Sequence, residues 1–286
     1  MKVLVELKDK NISEYKNIDG IILGLEDYSV FNSVTYTKEE IKDITNKYSD
    51  LDIFIKIDKN IFNSEINELK EILTYLSKLN ITGIFFYDLA LLQIKKDLNL
   101  DINLVWSQTH MVTNYRTCNY YNEKGVEYAL LSKEITLDEI IEISTKSTIK
   151  TIVEVFSKPT VGFSRRKLVT NYNHDIGING SKELEVLEKV SNDTYLVKEE
   201  DAGTGFILNK ILNGTSVIKT LYENNVDYIL LREVEDIDFK EFVNDTKDYI
   251  DNNCLDDNYI SKYKKLGDST GFFFKKTIYR VKKWEK

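Results

Sequence analysis

Along most of the chain, apolar runs of strand length alternate with stretches whose apolar residues recur at helical spacing. The pattern predicts strands at Val3–Leu7, Gly20–Leu25, Leu51–Ile57, Gly83–Tyr87, Leu104–Trp106, Tyr128–Leu131, Thr151–Phe156 and Tyr228–Leu231. Most are continuously apolar, as expected of parallel strands covered on both faces. Helices fit between them at Thr37–Tyr48, Asn63–Lys78, Leu89–Leu98, Thr113–Lys124, Thr136–Ser144, Ser216–Asn224 and Asp238–Asn252. Thr136 followed by Glu139 is a capping-box pattern, and Asn63 followed by Ile66 and Leu69 opens an amphipathic helix. Eight strands with intervening helices predict an α/β fold, a (β/α)8 TIM-like barrel built from residues 1–157 and 213–252.

The alternation fails between 158 and 212, which reads as an insertion. It holds the only proline, Pro159, then a loop rich in Asn and Gly, then the strand-like pair LEVLEKVSNDTYLVKEE, where Asn192-Asp193 predicts a hairpin turn. Its charge-rich stretches Glu183–Glu188 and Lys198–Asp201 read as a solvated face. Residues 253–286 are predicted to form a basic, aromatic C-terminal tail.

In such a barrel the chemistry sits where strands lead into helices. Those positions hold Glu6, Glu26, Lys56, Asp58, Asp88, the run Ser107–His110, the trio Ser132-Lys133-Glu134, and Glu154. The segment LVWSQTHMVTN is the most telling, since Ser107, Gln108, His110 and Asn114 are poor core material at a strand–helix junction. Adjacent Lys133 and Glu134 suit proton handling or carboxylate binding. Arg165 and Arg166 suit a bidentate grip on carboxylate or phosphate. Ser107, Gln108, His110, Asn114, Ser132, Glu134 and Arg165 are therefore the candidate ligand-binding set, with no metal site expected from only two histidines, His110 and His174.

Composition narrows this. The net charge of −8 opposes non-specific nucleic-acid binding by the chain as a whole. The segment from Ser261 to Lys286 runs against that balance, with nine Lys and Arg against Asp268 and Glu285. With Phe272, Phe273, Phe274, Tyr279 and Trp284 among those cations, it reads either as a solvated basic face whose aromatics pack on the domain or as an RNA-binding stretch. Arg166, Lys167, Lys275, Lys276, Arg280 and Lys282 are the expected RNA or partner contacts. Cys118 and Cys254 make no disulfide framework and fit a reducing cytoplasm, and no apolar run approaches membrane-spanning length. Walker A, GxGxxG, HExxH and GxSxG patterns are all missing.

Five segments in order resemble the peptidase U32 family: LVWSQTHMVTN, YALLSKEITLDEI, GFSRRKLVTNY, TYLVKEEDAG and GFFFKKTIYRVKK. Trp106-Ser107, Thr113-Asn114-Tyr115, Thr117-Cys118-Asn119-Tyr120 and Thr270-Gly271-Phe272-Phe273-Phe274 resemble its smaller Gram-positive subgroup. The resemblance implies a part in 5-hydroxylation of tRNA wobble uridine, beside a larger paralogue that carries an iron–sulfur cluster, with prephenate or another small carboxylate as co-substrate. A non-catalytic scaffold subunit is the alternative; the family's older label, a collagenase-like peptidase, implies a hydrolase. The four cluster cysteines of many relatives are missing: the first two positions hold Thr160 and Lys167, and no cysteine occurs from Asn119 to Asn253. The family's Ile-Glu-Gly segment reads Leu231-Arg232-Glu233. The chain is thus expected to bind no cluster unaided.

Overall fold

The computed structural model describes residues 1–275 except Lys16, Asp236 and Asp268. Lys276, Arg280 and Lys282, assigned above to RNA or partner contact, lie outside the described residues. Strand β1 (Lys2–Glu6) leads through a short 3-10 turn to β2 (Gly20–Gly24) and helix α1 (Lys38–Lys47). Four strand–helix units follow: β3 (Asp52–Ile57) with α2 (Ile66–Leu76), β4 (Gly83–Phe86) with α3 (Ala90–Asp97), β5 (Leu104–Trp106) with α4 (Tyr115–Glu123), and β6 (Tyr128–Leu130) with α5 (Leu137–Lys146). After β7 (Lys150–Ser157) come β8 (Thr160–Ser164), α6 (Leu168–Asp175), β9 (Glu183–Glu188), β10 (Asp193–Glu200) and β11 (Gly203–Leu208). The chain returns through β12 (Leu212–Asn213) and α7 (Ile218–Glu223) to β13 (Tyr228–Arg232), then ends its described course with α8 (Phe239–Asp251), α9 (Asp257–Tyr263) and the residues up to 275.

Strands β1 to β7 pair in sequence and in parallel, β7 pairs with β13, and β13 pairs with β1, closing an eight-stranded barrel. Parity of the strands sorts their side chains. Leu4, Ile22, Phe54, Phe85, Val105, Ile152 and Leu230 fill the interior together with Tyr128, Leu130 and Tyr228. Their neighbours in sequence, such as Val3, Val5, Ile21, Ile53 and Ile84, face the helices and join the outer core. Both faces are therefore dry, which is why these strands read as unbroken apolar runs. Phe54 anchors the interior, with edge-on ring contacts to Phe85, Tyr128 and Tyr228 at centroid distances of 5.6, 5.4 and 5.7 Å. The Thr136–Glu139 capping box forms at α5, Thr136 N donating to Glu139 Oε2 at 2.7 Å.

Residues 160–208 form more than a hairpin. The β9–β10 hairpin is one half of a four-stranded antiparallel sheet in the order β8-β11-β10-β9, backed by α6. Phe31, from the loop after β2, ties this sheet to the barrel. Its N–H donates to Glu200 at 2.9 Å, and its ring meets Phe163 at 5.6 Å and lies so close to Gly205 that a Cβ there would approach within 2.6 Å. The stretch beginning at 253 is folded at first. Tyr259, Tyr263 and Phe273 are buried, and Lys262 is taken by Glu241 and Asp245, each at 2.7 Å. Of the aromatics named above as RNA-binding candidates, Phe273 is buried while Phe272 and Phe274 are exposed, and Tyr279 and Trp284 lie outside the described residues. Among the described residues, no helix is long and apolar enough to cross a membrane.

Because Phe54 is fully buried and central to the interior ring cluster, Phe54→Ala is expected to cost about 3–5 kcal/mol in urea denaturation. A loss below about 1 kcal/mol would contradict this packing.

Candidate active site at the barrel mouth

One inward position beyond the apolar layer, the strands switch to polar chemistry. Two residues after Leu4, Phe54, Ile152 and Leu230 stand Glu6, Lys56, Glu154 and Arg232. The β1–β13 register sets Glu6 beside Arg232, and the β13–β7 register sets Leu230 beside Glu154. A register shift follows between Leu230 and Leu231, so that Leu231 pairs with Phe156. This bulge leaves both Val155 and Phe156 in the outer core, where Phe156 packs on Phe242 at 4.5 Å. Ser157 then turns back to donate its hydroxyl to Glu154.

The result is a row of alternating charge. Arg232 binds Glu6 through one terminal nitrogen and Glu154 through Nε at 3.0 Å. Lys133 Nζ lies 3.4 Å from the other Glu154 oxygen and donates to Thr160 O at 3.3 Å. Lys56 Nζ approaches Glu6 at 3.4 Å and Asp58 at 3.3 Å, and donates to Asn32 Oδ1 at 2.7 Å. Burial alone would raise the pKa of Glu154, but Lys133, Arg232 and the Ser157 hydroxyl outweigh it and hold the carboxyl down to about 2. Glu6 follows the same logic: burial pushes it up, and Arg232 and Lys56 bring it below the usual carboxylate range. Asp58 goes the other way, raised by burial despite Lys56. Lys133 is lowered by burial even with Glu154 beside it.

These groups floor a cavity of about 490 Å³. Its roof is the inner face of the inserted sheet, with Gly162, Leu196, Lys198 and Ile207, and its wall includes Asn32, Ser33, Tyr87 and Lys158. Asn32 Nδ2 is buried without a hydrogen-bond partner among the described residues. The mouth thus offers ammonium and guanidinium groups in a recessed site, an arrangement suited to a small anion or acceptor-rich molecule.

Of the residues expected from sequence, Ser107 and His110 line this cavity. Ser107 Oγ donates to Phe86 O at 2.7 Å, and His110 Nδ1 stands 3.2 Å from Glu134 at a half-exposed position. Gln108 is occupied with the backbone and Trp106, donating to Tyr87 O at 2.7 Å and accepting from the indole at 2.9 Å. Asn114 caps α4 by accepting from Thr117 N at 2.9 Å. Ser132 Oγ accepts from Glu134 N at 3.2 Å, beside a small pocket shared with Phe272 and Phe273. The Arg165 guanidinium stacks over exposed Phe62 at 4.4 Å, on the same rim but outside the cavity. Arg166 is exposed, Lys167 sits 3.5 Å from Asp201, and Lys275 lies over Phe272 at 5.6 Å. Sequence reasoning placed Glu6, Lys56, Asp58, Lys133 and Glu154 at strand ends but left them out of the site, and read Arg232 only as a worn motif. The missed signal was parity: each of Glu6, Lys56, Glu154 and Arg232 falls two residues past an inward apolar side chain.

The donor set does not suit a thiolate-held cluster. Both cysteines are buried, and burial pushes the Cys118 and Cys254 thiols up to about 12 and 11. Among the described residues no group of three His, Cys, Asp or Glu is placed to hold a metal ion.

Residues 10–231 match the profile of peptidase family U32. The chain belongs to this family. It is 23% identical over 202 residues to tRNA hydroxylation protein P2 of Bacillus subtilis (strain 168), covering 70% of this chain and 64% of that protein. It is 21% identical over 169 residues to tRNA hydroxylation protein P1 of the same organism, covering 58% of this chain and 40% of that one. The match therefore spans less than two thirds of either relative. The structure of the U32 peptidase Mk0906 superposes with a TM-score of 0.52 at 14% identity, covering 82% of this chain and 94% of that one, a likeness of fold.

Arg232→Met would strand Glu6 and Glu154 without their shared cation, at an expected cost of about 3–5 kcal/mol at neutral pH. The depressed pKa of Glu154 contributes stability that is full above its ordinary value of 4.5 and is lost as pH falls toward about 2. The penalty of the variant should accordingly shrink between about pH 4.5 and pH 2 in denaturation curves. A penalty that stays constant or grows on acidification would contradict the ionic row.

Proposed function

We propose that this U32 protein is a cytoplasmic component of a tRNA uridine-34 5-hydroxylation system, that its barrel mouth holds a small carboxylate co-substrate such as prephenate, and that it works with a larger, cluster-bearing paralogue. Likeness to the two Bacillus subtilis tRNA hydroxylation proteins supports the role. The observation that carries the ligand reading is the cation set at the mouth: Lys56 on one side, Arg232 and Lys133 on the other. A carboxylate entering there meets fixed cations whose own counterions already hold them in place, so little reorganisation accompanies binding. The misfit of the chain's thiols to a cluster supports the division of labour with a paralogue. The outer rim, where Arg165 stacks on Phe62 and Arg166 stands exposed, offers an aromatic face and positive charge of the kind that unpaired RNA bases and phosphates use.

Deleting the gene should remove the wobble 5-hydroxyl from the tRNA nucleosides of the source organism, read by mass spectrometry. Restoring the gene as Lys56→Met should leave the modification at one tenth of the wild-type level or less. Full modification in the deletion strain would overturn the role; full modification with the variant would turn the reading toward a scaffold subunit.

A further inference from the structure

Lys56 and Lys133 both line the mouth, and they are held very differently. Lys56 Nζ is surrounded by oxygens: Asn32 Oδ1 at 2.7 Å, Val30 O at 3.2 Å, Asp58 at 3.3 Å and Glu6 at 3.4 Å. Among the described residues Lys133 Nζ has two neighbours of this kind, both at long range: Thr160 O at 3.3 Å and Glu154 Oε1 at 3.4 Å. That Glu154 oxygen already accepts from the Ser157 hydroxyl, and the other accepts from Arg232 Nε at 3.0 Å. Lys133 is thus the less firmly held of the two, with its side chain 18% exposed.

Its surroundings favour the neutral amine. Burial opposes the charge, and with repulsion from Arg232 and Lys56 it outweighs Glu154, bringing the ammonium below the ordinary lysine range. A lysine desolvated beside other cations is a nucleophile suited to carbonyl carbon. The neighbouring cation selects which carbonyl. Arg232 gives Nε to Glu154 and one terminal nitrogen to Glu6, which leaves its second terminal nitrogen without a partner among the described residues. Lys133 and Arg232 flank the same carboxylate, Glu154, so they stand side by side at the cavity. A ligand carboxylate taken by Arg232 brings the carbon bonded to it toward the Lys133 amine. When that carbon is a carbonyl, the ligand is a 2-oxo acid.

We propose that Lys133 binds a 2-oxo acid covalently, as an imine at the carbonyl carbon. The proposal rests on the reading of the mouth as a carboxylate site. The ammonium first releases one proton to water in the cavity. The neutral nitrogen then attacks the carbonyl carbon, forming a C–N bond while the carbonyl π pair moves to oxygen. Both nitrogen-bound protons pass to that oxygen, which leaves as water as the C=N bond forms. The imine takes up one proton, so the exchange is balanced and nothing is oxidised or reduced. Glu154, held as a carboxylate, then faces an iminium where it faced an ammonium, and the charge pairing is kept. The iminium draws electrons from the carbons beside it, which activates the acid for bond breaking there.

The test is reductive trapping of the purified full chain with prephenate, itself a 2-oxo acid, in sodium cyanoborohydride, read by intact mass and peptide mapping. One reduced acid should add per chain, and mapping should place it on Lys133. Lys133→Arg keeps a cation beside Glu154 but forms no imine, so it should lose the adduct while still binding prephenate in calorimetry. Mapping on the wild-type chain keeps the test valid where the variant fails to fold. An adduct confined to other lysines, Lys158 of the cavity wall among them, would overturn the proposal, as would a yield that Lys133→Arg leaves unchanged. Prephenate bound without any adduct would overturn the imine and leave the carboxylate reading standing. A chain that neither binds nor traps the acid would overturn both.

Discussion

The structure turns on Arg232. It stands on β13, the strand that closes the barrel between β1 and β7, and it binds one carboxylate from each neighbour, Glu6 and Glu154. Below it the interior is apolar; above it the cavity begins. Glu154 is buried and Glu6 and Arg232 are partly buried; charges so placed are costly to desolvate and recover that cost only when each keeps its partner. The seam of the barrel and the floor of the site are therefore the same set of contacts, and neither can be altered without the other.

The bulge in β7 shows how the fold accommodates this. A regular strand would direct Phe156 into the mouth. With the register shifted, Phe156 joins the helix-side core beside Phe242, and Ser157 is free to support Glu154. The inserted sheet completes the enclosure, held over the mouth by Phe31 against Phe163 and Gly205. The site is built by two parts of the chain far apart in sequence: barrel strands give the charges, and the insertion removes them from bulk water, where they would be screened.

The barrel was legible because its strands are buried on both faces, and continuous apolar runs separated by capped amphipathic helices have few other readings. The insertion was legible only in its β9–β10 half, since β8 and β11 are interrupted by glycines and carry little apolar periodicity. At the site, polarity at the end of β5 drew attention to Gln108 and Asn114, whose side chains serve the local backbone. Glu6, Glu154 and Arg232 were harder to see because each is a single charge ending an apolar run, and their mutual contact spans 226 residues of sequence in one case and 78 in the other. Local patterns do not report which distant charges a closed barrel will bring together.

The paired charges are proposed to hold the mouth ready for a carboxylate. Isothermal titration calorimetry of the purified full chain with prephenate tests this directly. A one-to-one binding isotherm is expected, with an affinity that falls at least about tenfold, or about 1.4 kcal/mol, in Lys56→Met. Absence of binding to the wild-type chain, or equal affinity in the two proteins, would contradict it.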